Sequence, residues 1–79
     1  MQVEVRVFGG LEKFIPGARF GQSIPVECPG GSTAGQLVDT LGIPGSLVFT
    51  ILVNGRHAGM DAVLHPGDRV SLFPAVGGG

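Results

Sequence analysis

Thr33-Ala34-Gly35-Gln36-Leu37-Val38-Asp39-Thr40-Leu41-Gly42-Ile43-Pro44 is the one stretch of this chain that reads convincingly as a helix. Ala34, Leu37, Val38 and Leu41 recur at helical spacing and share one face. Thr33 and Gln36 fit a capping box, in which each side chain satisfies a free backbone N–H of the first turn. Gly42 is placed to end the helix, and Pro44 prevents it continuing. The spacing predicts about three turns.

On either side the chain reads as strand and turn. Val3, Val5 and Val7 alternate with Gln2, Glu4, Arg6 and Phe8, the period of a half-buried strand. Gly9-Gly10 breaks the alternation, and Leu11 to Gly21 reads as a long loop with room for one short helical turn. Ile24, Val26 and Cys28 then share a face, and Pro25 between them marks an edge strand. Beyond the helix, Val48 to Val53 is a β-forming run followed by Asn54-Gly55, a strong hairpin signal. Arg56 to Ala58 is a brief return strand. Asp61 to Leu64 reads as a helical turn and His65-Pro66-Gly67-Asp68 as a tight turn. Arg69 to Phe73 is the last strand, with Val70 and Leu72 inward. The order predicts an α+β fold, a mixed four- to five-stranded sheet with one helix packed across one face. A strand pair, a crossover helix and a returning strand make the β-grasp arrangement, with first and last strands as parallel central neighbours.

Composition narrows the function. The 79 residues allow one domain with a thin core. A net charge of −1 and five scattered basic residues argue against nucleic acid, since phosphate binding needs clustered cations. No apolar run approaches a membrane span, and no charged-then-apolar signal opens the chain. The single cysteine, Cys28, excludes an internal disulfide and any all-cysteine metal site, so no metal is expected. A reducing cytoplasm is the expected location. His57 and His65 lack metal-ligand spacing, and no Ser/His/Asp set or phosphate-cradling loop is legible. Cys28 reads as a small buried hydrophobe, because nothing nearby in sequence would lower its pKa.

What remains is the end of the sequence. Phe73-Pro74-Ala75-Val76-Gly77-Gly78-Gly79 resembles the terminal signature of the MoaD and ThiS sulfur-carrier family, in which the last strand ends in Phe-Pro and the chain ends in Gly-Gly. Leu52-Val53-Asn54-Gly55-Arg56 and His65-Pro66-Gly67-Asp68-Arg69-Val70 resemble that family's hairpin and its turn into the last strand. The resemblance implies a ubiquitin-like β-grasp domain over residues 1–73 and a flexible tail over 74–79. It implies a non-catalytic carrier whose Gly79 carboxylate is adenylated by a ubiquitin-activating-like enzyme and then converted to a thiocarboxylate. ATP would be used by that partner enzyme, and no cofactor would be held stably. Gly77 and Gly78 would let the tail thread a narrow channel, since glycine has no side chain and extends freely.

Within that family the loop from Leu11 to Gly21 and the Phe-Pro favour the small subunit of a molybdopterin-type synthase, docked on a larger subunit. A ThiS-like carrier for thiamine or tRNA thiolation is the alternative, as is a ubiquitin-like modifier joined to lysines through Gly79. Alternation places Phe8, Leu52 and Phe73 on the sheet face away from the helix. With Pro74 they form the expected partner surface, since contiguous exposed apolar groups mark such surfaces. An isolated exposed Phe ordinarily means nothing; three apolar groups on neighbouring strands make a patch. Exposed in the free protein, Phe73 is expected to matter little to folding.

Overall fold

Three valines set the centre of the sheet. Val3, Val5 and Val7 lie on β1 (Gln2–Val7) and are fully buried, whereas Gln2 before them and Arg6 between Val5 and Val7 are exposed. The computed structural model describes residues 1–19 and 21–75. After β1 comes a single 3-10 turn at Leu11–Phe14, then β2 (Ile24–Glu27), α1 (Ala34–Thr40), β3 (Thr50–Val53), β4 (Arg56–Ala58) and β5 (Arg69–Phe73). A second 3-10 turn, Gly45–Leu47, lies between α1 and β3.

The five strands form one sheet in the order β2-β1-β5-β3-β4. β1 pairs parallel with β5, placing Val5 opposite Val70 and Val7 opposite Leu72. β1 with β2, β3 with β4 and β3 with β5 are antiparallel. This is the ubiquitin-like β-grasp fold. Pro25 sits on β2 at one edge of the sheet, where its missing N–H costs no ladder bond. Leu37 and Val38 of α1 join Val3, Val5, Val7, Ile51, Val70 and Leu72 in one core beneath the helix.

The helix is shorter than its sequence pattern, with seven residues, about two turns. Its capping box is complete: Gln36 N–H donates to Thr33 Oγ1 at 3.2 Å and Thr33 N–H to Gln36 Oε1 at 2.9 Å. It ends in a Schellman arrangement, with Gly42 at φ 76° and Ile43 N–H donating to Val38 O at 3.2 Å.

The helical turn expected over Asp61–Leu64 is not there. Asp61 lies in a turn closed by Ala62 N–H donating to Gly59 O at 3.1 Å, and the chain beyond it bridges to the helix entry, with Thr33 opposite Val63. Ala62 O accepts from Ala34 N–H at 2.9 Å, Met60 O accepts from Gly35 N–H at 2.8 Å, and Leu64 N–H donates to Ser32 O at 2.8 Å. Two first-turn donors of α1 have no partner inside the helix, and this segment supplies their acceptors. A local helical turn would leave them unsatisfied.

Candidate docking face and tail root

The sheet's second face is uncovered by the helix, and β5 controls what it carries. Val70 and Leu72 point into the core, so Arg69, Ser71 and Phe73 point away from it. The register then sets the neighbours. Arg6 lies beside Ser71, Leu52 lies opposite both Ser71 and His57, and Thr50 lies opposite Phe73. Phe8 follows β1 and is held in line by its N–H, which donates to Leu72 O at 3.1 Å.

The face is divided in character. Towards the start of β5 it is polar, a depression lined by Glu4, Arg6, Ser23, Asn54, Arg69 and Ser71 among others. Glu4 is turned to the β2 side, where its Oε2 accepts from Ser23 Oγ at 3.0 Å. Towards the end of β5 it is apolar, a shallow groove lined by Phe49, Thr50, Leu52, His57, Phe73 and Pro74. Four of the expected residues therefore meet: Leu52, Phe73 and Pro74 in the groove, and Phe8 beside it.

Phe8 and Phe73 are not the freely exposed rings their alternation suggested. Their rings stack with centroids 4.5 Å apart and planes 5° from parallel, and both residues are half-buried. Phe8 also lies over Gly21, where an added Cβ would come 3.2 Å from Phe8 Cε1. Among the described residues the exposed aromatic is instead Phe49, at 76%. It escapes the alternation argument because it precedes β3, and its N–H donates to Phe73 O at 2.8 Å. Strand periodicity would have turned it inward with Ile51; only the true start of β3 reveals it.

Pro74, the first residue after β5, packs on Gly9. Gly9 has φ 66°, and a Cβ there would lie 2.5 Å from Pro74 Cγ and 2.8 Å from Cδ. Gly9-Gly10 had read only as the end of a strand. Gly77, Gly78 and Gly79 lie outside the described residues.

Other chemistry is sparse. Cys28 is buried in the core cluster, as its alternation implied. Among the described residues no group of three or more His, Cys, Asp or Glu could hold a metal ion, and no helix is long and apolar enough to cross a membrane. Asp68 lies in the turn that leads into β5, where its carboxylate accepts from His65 N–H at 2.8 Å. The His65 backbone N–H bonded to it holds its pKa below the ordinary aspartate value, helped by the Asn54 side-chain amide and opposed by partial burial.

A comparison with curated proteins gave no match. Among solved structures, the chain is similar to the HVO 2177 protein of Haloferax volcanii, at 30% identity and TM-score 0.77 over 100% of this chain and 87% of that one. It is similar to SAMP1 from Haloferax volcanii, at 25% identity and TM-score 0.73 over the full length of both chains. It is also similar to a chain in the complex of subunits 1 and 2 of the molybdopterin-converting factor from Helicobacter pylori 26695, at 26% identity and TM-score 0.61, again over 100% of both. The Mut7-C ubiquitin family model matches residues 1–77 of the same β-grasp scaffold, and the chain therefore belongs to the Mut7-C ubiquitin family.

Proposed function

We propose that this chain is a carrier of activated sulfur, with a β-grasp body over residues 1–73 and residues 74–79 as the tail that presents the Gly79 carboxylate. The observation that supports this most is the convergence of the apolar half of the open face on Pro74. Phe49, Leu52 and Phe73 surround the point where the chain leaves the sheet. A partner gripping that groove would hold the tail's root against its own surface. Ordering three glycines costs on the order of 1–2 kcal/mol each. Burying apolar side chains at about 1.5–3 kcal/mol each offsets it.

In this reading an oxygen of the Gly79 carboxylate attacks the α-phosphorus of ATP on an activating enzyme. The acyl-adenylate forms and pyrophosphate leaves. A hydrosulfide equivalent then attacks the acyl carbon, AMP departs with the bonding electron pair, and a thiocarboxylate remains. The carrier supplies no general base and no metal, and ATP is the partner's substrate. The proposed sulfur acceptor is a pterin precursor on a larger synthase subunit, a reading supported by the likeness to a chain of the molybdopterin-converting factor complex, with a thiazole or tRNA acceptor as the alternative.

The test is sulfur loading followed by intact mass. With an activating enzyme, ATP and a sulfide source, the mass should rise by the exchange of one oxygen for sulfur at Gly79. A single residue appended after Gly79 should abolish loading and leave thermal unfolding unchanged. Thiocarboxylation of the extended chain at its new end would overturn the threading argument. Gly-Gly remnants on lysines of other proteins, without stable thiocarboxylate, would move the reading to a protein modifier.

A further inference from the structure

Most left-handed glycines of this chain serve only their turns. At Gly10 and Gly17 an added Cβ would meet nothing within 4 Å. Gly9 differs. Its φ of 66° favours glycine, and its missing side chain is also the space the Pro74 ring occupies, since a Cβ would fall 2.5 and 2.8 Å from two ring carbons. Separations that short do not occur between real side chains, and the ring is not the free end of a flexible chain, so one group would have to leave. We infer that Gly9 is a positioning residue for the tail: it seats the Pro74 ring and thereby sets the direction in which the chain departs from β5.

The seat is one half of a clamp. Phe73 stacks on Phe8, and the next residue, Pro74, lies on the residue after Phe8. The last strand residue and the first tail residue are thus both held against the segment that leaves β1. Phe8 is backed in turn by Gly21, whose N–H donates to Val7 O at 2.9 Å. Proline adds a fixed φ of its own. With φ locked and the ring seated, only ψ at Pro74 is left to redirect the chain there.

This inference rests on the tail reading above and names what that tail needs from the body. A carboxylate that must enter a confined site gains from an aimed approach, because misplacement by an ångström can cost orders of magnitude in rate. The docking groove shares Pro74 with the seat but is otherwise built from Phe49, Thr50, Leu52, His57 and Phe73. Unseating Pro74 should therefore lower turnover by more than the loss of one groove contact lowers affinity.

The experiment is a double-mutant cycle, read by ATP–pyrophosphate exchange on a ubiquitin-activating-type enzyme from the same organism. Gly9→Asn keeps a residue that tolerates the left-handed region but restores the clashing Cβ. Pro74→Ala removes the ring carbons that clash. Each single variant should lower kcat about tenfold or more; Gly9→Asn, outside the groove lining, should keep KM within about twofold, whereas Pro74→Ala also gives up a groove contact and raises KM. The double variant should be no worse than either single, because both changes remove the same contact. Gly17→Asn, left-handed but open to solvent, should retain wild-type kcat. Thermal unfolding of each variant separates misfolding from misdirection, and Pro74→Ala keeps the test alive if Gly9→Asn fails to fold. Multiplying effects in the double variant, or an unchanged kcat in Pro74→Ala, would overturn the inference. A wild-type chain that supports no exchange overturns the tail reading itself, which the variants do not address.

Discussion

Asn54 is the one non-glycine residue with positive φ, at 52°, among the described residues. Its backbone makes the tight turn between β3 and β4, and its side chain ties that turn to the entry of β5. Asn54 Nδ2 donates to Asp68 Oδ1 at 2.9 Å, and Arg69 N–H donates to Asn54 Oδ1 at 2.9 Å. Asp68 Oδ2 in turn accepts from His65 N–H at 2.8 Å. These donors favour the ionised carboxylate, so the folded pKa of Asp68 lies below its unfolded value. A depressed carboxylate stabilises the fold at every pH above its unfolded pKa, near 4, and that contribution is lost as pH falls through the folded value. The melting temperature should therefore decline on acidification below about pH 4, and Asp68→Asn should show a shallower decline. Melting curves from neutral pH to pH 2 or so check this. An equal acid slope in both proteins would mean the network does not couple to folding.

At the scale of elements, α1 has only seven residues and its first turn depends on groups outside it. Thr33→Ala removes the acceptor for Gln36 N–H and should cost about 1 kcal/mol. The denaturant midpoint should drop with an unchanged m-value, since the surface exposed on unfolding is the same. A change in m instead would point to a partly unfolded helix in the native state. The same element shows where sequence reading succeeds and where it stops. Thr33 with Gln36, Gly42, and Asn54-Gly55 were legible because cap and turn chemistry is written within a few residues. Asp61–Leu64 was not, because its conformation answers to Ser32, Thr33 and Ala34, far back along the chain. Phe49 and Gly9 were missed for a related reason. One depends on where β3 begins, and the other on a proline that the fold returns to it from the opposite end of the sequence.

At the scale of the whole molecule, the proposed function gives the two faces of one sheet separate duties, and substitutions can pull them apart. Val5 is fully buried in the core shared with α1, whereas Phe49 is largely exposed beside the tail's root. Val5→Ala leaves a cavity in a thin core and should cost roughly 2 kcal/mol of stability. Phe49→Ala removes no core contact and should change stability by less than about 0.5 kcal/mol. It should nevertheless weaken binding to the activating enzyme by roughly 1–3 kcal/mol, about ten- to a hundredfold. Phe73→Ala is a mixed probe. It removes part of the apolar groove, but it also breaks the stack with Phe8, and aromatic pairs contribute about 0.5–1.5 kcal/mol beyond their burial. Its effects should appear in both measurements. Thermal unfolding of the free chain and titration against the enzyme give the two axes. The division of labour predicts Val5→Ala displaced along stability alone, Phe49→Ala along affinity alone, and Phe73→Ala along both. If Phe49→Ala binds as tightly as wild type while Phe73→Ala does not, the partner reads the stacked pair and the tail's root, and the exposed end of the groove lies outside the interface.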